Sequence, residues 1–273
     1  MEGVTMAEDN LEWLPVEDLE QGFNENKLYP THALAGKDLT LFCDNDQVIH
    51  LCFRGEGLLT FGAKENPTGI IREAYEAFCV MPDIYFVDFV INETKSSVSL
   101  ILDFPKKKSL ILIGKLSEWK MNQDFISRSK AGVDLSPMAV EFIHANMDLP
   151  LEKAPIVPYE RTGDLLGKRV KYTYSKMHTY EHIYLNPQFY TWHCLSGPEK
   201  GLADTDRCDY FKIASDLYLF TWREKIIPIL GVVLINLKTM KTSGKLFGIE
   251  VETGKVTNFT MGAHAQLLNV TTY

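Results

Sequence analysis

Short runs of β-branched and aromatic residues recur along the chain, among them Val48 to Phe53, Ile84 to Ile91, Val98 to Leu102 and Leu110 to Ile113. Clusters of Asp, Asn, Gly, Pro and Lys separate them, so each run predicts a strand and each break a turn. The spacing suggests up-and-down hairpins. An antiparallel sheet of roughly eight strands closes on itself because closure removes exposed edges, and a barrel of that size holds one small ligand. The pattern changes at Ser136–Pro137, a helix-start signal, and Met138 to Met147 is expected to form a short helix before the proline-rich LPLEKAPIVP.

The same pattern occurs twice, at an offset of about 132 residues, and self-similarity of this kind fixes architecture before propensity does. Gly36 to Leu41 lies over Gly167 to Tyr172, Asp83 to Phe86 over Asp216 to Leu219, Phe89 over Trp222, and Ser99 to Asp103 over Val232 to Asn236. With one residue inserted, Gly114 is expected to meet Gly248 and Phe125 to meet Phe259. The expected fold is all-β, two tandem antiparallel barrels with a short linking helix. Residues 1–32 are assigned to an N-terminal extension, 33–135 to the first barrel, 136–162 to the linker and 163–273 to the second barrel.

The chain has 273 residues, of which 45% are apolar, enough for two cores. A net charge of −8 leaves no basic face for a phosphate backbone, so nucleic acid is not an expected partner. The first ten residues, MEGVTMAEDN, lack the basic and apolar regions of a secretory signal. The longest apolar run, Ile226 to Leu237, is broken by Pro228 and Gly231 and is too short to cross a bilayer. Cys43, Cys52, Cys79, Cys194 and Cys208 are widely spaced and odd in number, which suggests neither a disulfide framework nor a zinc knuckle. A cytoplasmic location is the expectation.

The second copy opens with the least ordinary stretch, Tyr172 to Cys194. Strand alternation places Tyr172 with Tyr174, Tyr180 with His182 and Tyr184, and Thr191 with His193, each set on one face. The first copy has Leu39, Leu41 and Cys43 where the tyrosines begin, which points to the second barrel as the site. The competing reading is that aromatics simply favour sheets. His178 to His182 matches H-x-x-E-H, but that zinc motif needs a helix to bring the imidazoles together, and on a strand they lie about 13 Å apart. No metal and no cofactor are expected. The loop Pro198 to Asp206 reads as a solvated barrel-mouth loop, and Trp222 to Lys225 as a strand end whose charges reach that mouth.

The strings YEHIYLN (from Tyr180), YTWHCLSGPEKGLADTD (from Tyr190) and LYLFTWREKIIPILG (from Leu217), with WLPVEDLEQGF (from Trp13) and Gly36, resemble the molybdenum cofactor biosynthesis protein F family. That resemblance implies calycin-like, lipocalin-type barrels. The second copy also resembles the bacterial phenolic acid decarboxylases, single lipocalin-like barrels working without cofactor. Tyr172-Thr173-Tyr174, Tyr180-Glu181 and Leu217 to Glu224 carry the likeness. It implies that Tyr172 and Tyr174 orient a substrate carboxylate. The family's catalytic arginine falls on His193 and its catalytic glutamate on Ser215, beside Asp216.

The leading functional expectation is a cofactor-independent lyase, decarboxylase or isomerase on a small aromatic or hydroxylated molecule. Tyr172, Tyr174, Tyr180 and His193 are its catalytic candidates, and His182, Tyr184, Trp192, Trp222 and Glu224 its substrate-binding candidates. A lipocalin-like binding protein without turnover is the alternative from a different class, and a role in molybdenum cofactor biosynthesis the third. The expected partner is a small molecule, with no membrane, and a homodimer is compatible with the sequence.

Overall fold

A computed structural model describes residues 13–63, 70–117, 124–250 and 253–272. After helix α1 (Val16–Phe23), the first barrel runs β1 (Asp38–Cys43), β2 (Val48–Arg54), β3 (Leu58–Ala63), β4 (Ile71–Met81), β5 (Ile84–Ile91), β6 (Ser96–Asp103), β7 (Lys108–Leu116), helix α2 (Phe125–Lys130) and β8 (Met138–Met147). The second runs β9 (Lys168–Thr173), β10 (Thr179–Asn186), β11 (Phe189–Ser196), β12 (Ala203–Ala214), β13 (Leu217–Arg223), β14 (Ile229–Asn236), β15 (Lys241–Ile249), β16 (Val256–Met261) and β17 (His264–Val270). Each strand pairs antiparallel with its sequence neighbour, and β8 returns to β1 to close the first sheet. In the second, one long strand is bent at Gly262–Ala263: its first half, β16, pairs with β15 and its second half, β17, with β9. The protein is two closed eight-stranded antiparallel barrels in tandem.

The duplication is visible in backbone geometry. The turns into β1 and β9 place Gly36 at φ +78° and Gly167 at φ +76°, a left-handed conformation that glycine adopts without steric cost. The β4–β5 and β12–β13 turns place Asp83 and Asp216 both at φ +59°. Closure is equivalent too, since Leu41 faces Met147 in one barrel and Tyr172 faces Ala265 in the other.

Two expectations are corrected. Met138–Met147 is a strand, not a helix, because β7 and β1 offer it backbone partners on both sides and its inward Ile143, Ala145 and Met147 fill the core. Local helix propensity is weak against a full set of ladder hydrogen bonds. The short helix is α2, capped by Asp124, whose Oδ1 accepts from the Ser127 N–H at 2.9 Å. Part of the span expected to be linker therefore belongs to the first barrel. The repeat register also differs. Ser97 faces Gly114 and Leu230 faces Phe247, so Gly114 is equivalent to Phe247, not Gly248, and Phe125 on α2 has no strand equivalent in Phe259.

Apolar clusters fill the two interiors, and a third, from Phe78, Phe86, Ile101 and Leu112 to Phe211, Leu219, Val232 and Phe247, joins the barrels. Strands β6 and β14 are buried at every position because one face lines a barrel and the other lines this interface. Among the described residues, no helix is long and apolar enough to cross a membrane.

Candidate functional site

The interiors differ as the residue types require. The first is lined by apolar side chains such as Leu39, Leu41, Phe53 and Leu100, whereas the second collects Tyr172, Tyr174, Tyr180, Tyr184, Tyr190 and Tyr210 around His182. Strand alternation puts Tyr180, His182 and Tyr184 of β10 inward, as expected. On β11 it turns Tyr190, Trp192 and Cys194 inward, leaving Thr191 and His193 on the outer face.

A cavity of about 40 Å³ lies among these rings, lined by Tyr174, Tyr180, His182, Tyr190, Trp192, Trp222, Glu199, Glu224, Leu246 and two side chains of α1, Leu19 and Phe23. In this state it has room for waters but not for a ring-bearing molecule. Helix α1 is the stopper. Its Val16, Leu19 and Phe23 form one apolar stripe, and the Phe23 ring packs 4.4 Å from Tyr174 and 5.5 Å from Tyr180. Gly22 lets the helix seat this closely, because a Cβ there would come within 2.1 Å of the His178 ring.

Carboxyl groups converge on the cavity. The Tyr180 hydroxyl donates to Glu199 Oε2 at 2.8 Å, Trp192 Nε1 to Asp206 Oδ2 at 3.1 Å, and Trp222 Nε1 to Glu224 Oε1 at 3.1 Å. Burial raises the pKa of all three, and for Glu224 the neighbouring Asp206 adds to the rise. Glu224 is half-buried and lines the cavity. Lys225 turns away to pair with Asp204 and Asp206. Burial pushes the His182 imidazole down to about 3, so it is neutral. Its Nδ1 and the Tyr190 hydroxyl are buried without a hydrogen-bond partner among the described residues.

Six of the nine sequence candidates, Tyr174, Tyr180, His182, Trp192, Trp222 and Glu224, line the cavity. Tyr172 and Tyr184 sit deeper, their hydroxyls bonded to each other at 2.7 Å. His193 is the correction. Its Nδ1 lies 2.9 Å from Glu181 Oε1 on the barrel exterior, and Arg169 holds the same carboxylate with Nε at 2.5 Å from Oε2. Ser215 lies in the exposed β12–β13 turn, so neither catalytic position implied by the decarboxylase resemblance reaches the cavity.

Tyr190 was missed although it shares a face with Trp192. Glu199 and Asp206 were missed because the stretch Pro198 to Asp206 reads as a solvated loop, yet they are 7% and 2% exposed and Asp206 lies on strand β12. Leu19 and Phe23 follow the spacing of an amphipathic helix, which does not say where it docks. Among the described residues no three His, Cys, Asp or Glu side chains are placed to hold a metal ion, and His178 and His182 are held apart, one against α1 and one inside the barrel.

Closed, sequential antiparallel barrels, one with an aromatic and acidic interior, define a tandem lipocalin-type protein. Models of the MoaF N-terminal domain and the MoaF C-terminal domain match residues 11–118 and 159–271. The chain is 37% identical over 263 residues to Protein MoaF of Klebsiella aerogenes, covering 95% of this chain and 96% of that protein. It belongs to the MoaF family. A crystal structure of a protein from Burkholderia vietnamiensis matches 40% of this chain and 100% of its own at 14% identity and TM-score 0.34, too distant to bear on fold or function.

Proposed function

We propose that the second barrel is a small-molecule enzyme working by acid–base chemistry of its own side chains, of lyase or isomerase type, on an aromatic or hydroxylated substrate. One observation carries this reading: Glu224, a carboxyl whose pKa burial and the neighbouring Asp206 raise well above its ordinary value, lines the same cavity as Tyr190 and His182, whose hydroxyl and Nδ1 are buried without a hydrogen-bond partner among the described residues. Titratable groups displaced from their ordinary range and gathered in one cavity are what proton transfer needs. Trp222 occupies one oxygen of Glu224, leaving the other to give a proton to bound substrate and take it back. Tyr174 and Tyr190 would hold a substrate oxygen, and the barrel wall with α1 would exclude water.

The family name, molybdenum cofactor biosynthesis protein F, points to a role related to that pathway. Among the described residues no Lys or Arg lines the cavity, which favours a neutral or cationic small molecule there over a phosphorylated one.

The test does not depend on which reaction is catalysed. The protein is incubated in D₂O with a panel of small aromatic and hydroxylated metabolites, and NMR follows exchange or conversion at carbon. Exchange that disappears in Glu224→Gln supports the enzyme. Recovery of a bound molecule that the protein neither exchanges nor converts supports a carrier, the reading that closure by α1 favours.

A further inference from the structure

We infer that the cavity of the second barrel takes a small organic cation bearing a ring, its ammonium group beside Glu224 and its ring against Tyr174 and Tyr180, in the place of the Phe23 phenyl group. This deepens the proposed ligand site and rests on that reading of the cavity.

The ionisable groups on the lining are one-sided: burial raises the pKa of Glu224 in the closed cavity, and an ammonium group placed beside it favours the carboxylate, so the cation and the charge that holds it arise together. Glu199 and Glu224 line the space, Asp206 stands behind Trp192, and among the described residues no Lys or Arg lines it. Lys225 is committed to Asp204 and Asp206. A bound anion would meet only acidic, phenolic and aromatic groups. Indole and phenol rings present a negative face to a cation, and such cages bind ammonium groups when water is excluded.

The site also carries polar atoms with no structural employment. His182 is 5% and Tyr190 0% exposed, and His182 Nδ1 and the Tyr190 hydroxyl find no hydrogen-bond partner among the described residues. Buried groups of this kind are costly unless something satisfies them. A ligand amine or hydroxyl would do so. Phe23 marks the place of the ligand ring, since α1 holds its phenyl group against Tyr174 and Tyr180 and must withdraw it for a ligand to enter.

The experiment titrates the full chain with benzylammonium chloride, benzyl alcohol and sodium benzoate by calorimetry. Benzylammonium is expected to bind at least about tenfold more tightly than benzyl alcohol, as a desolvated cation–π and carboxylate contact would give, and benzoate is expected not to bind. In Glu224→Gln the preference for the cation is expected to vanish while the alcohol binds as before. Benzoate binding, equal affinity for alcohol and cation, or no binding of any of the three overturns the inference on the wild-type chain alone. Cation binding without proton exchange or turnover sustains it and sinks the enzyme reading. Alcohol-selective binding with turnover does the reverse.

Discussion

The Tyr180 hydroxyl donates a 2.8 Å hydrogen bond to Oε2 of Glu199, tying strand β10 to the loop that folds over the barrel mouth. Burial and the Glu199 carboxylate both raise the tyrosine's pKa, burial raises that of Glu199, and the bond partly offsets the latter. Burial thus opposes ionisation of both groups.

Stability should therefore fall as pH rises. A carboxyl whose folded pKa lies above its ordinary value contributes stability that is present below that value and lost as pH rises through the folded pKa. Glu224, Glu199 and Asp206 are all of this kind. Above the ordinary imidazole value of 6.5, where the opposing contribution of the buried, neutral His182 is complete, the melting temperature is expected to decline with rising pH, and Glu224→Gln, neutral throughout, to decline less. Glu181, depressed chiefly by its hydrogen bonds from Arg169, acts in the opposite sense and below its ordinary value of 4.5, outside that window. Scanning calorimetry across pH checks this, and an identical slope in the variant would refute the role given to Glu224.

Gly22→Ala is expected to destabilise the chain although alanine is the better helix former by about 1 kcal/mol. The added methyl collides with the His178 ring, and such overpacking costs about 1–3 kcal/mol. Gly22→Ala with His178→Ala should recover part of that loss. Denaturant melts of the two variants decide, and stabilisation by Gly22→Ala alone would show that α1 does not seat against His178.

Tyr172→Phe and Tyr174→Phe should separate. Tyr172→Phe leaves the fully buried Tyr184 hydroxyl without its partner, at about 1–3 kcal/mol. Tyr174 faces the cavity, so its variant is expected to melt near wild type and to lose ligand affinity or turnover. Comparable melting losses in both would place Tyr174 among the structural tyrosines.

Between the barrels, Lys245 Nζ lies 2.7 Å from Asp88 Oδ1 and also contacts the Ser97 hydroxyl, while Asn258 donates to Asp88 Oδ2 at 2.6 Å. Burial pushes Asp88 up and Lys245 down, and each partner's charge opposes that. Lys245→Met is expected to cost about 3–5 kcal/mol because it strands a buried carboxylate, and Lys245→Met with Asp88→Leu to cost less. A double-variant loss equal to the sum of the Lys245→Met and Asp88→Leu losses, measured by urea melts, would mean the pair is not coupled.

The sequence by itself determined the two barrels and their kinship, because period-two strands, turn residues and a long repeat are local signals that survive without coordinates. It also determined that the second copy has a polar aromatic face: alternation alone groups Tyr180, His182 and Tyr184 together, and burial shows that this face is the inner one. Alternation cannot say which of two faces is the inside, and that is how His193 came to be expected in the cavity while it sits outside with Glu181 and Arg169. Tertiary structure decided the rest. The open edges of β7 and β1 made Met138–Met147 a strand. A helix at residues 16–23 reached the barrel of residues 168–270 to close it, and a loop that reads as solvated folded Glu199 and Asp206 into the protein. Contacts between segments so distant in the chain depend on the shape that the finished barrel presents, which no local pattern of residues encodes.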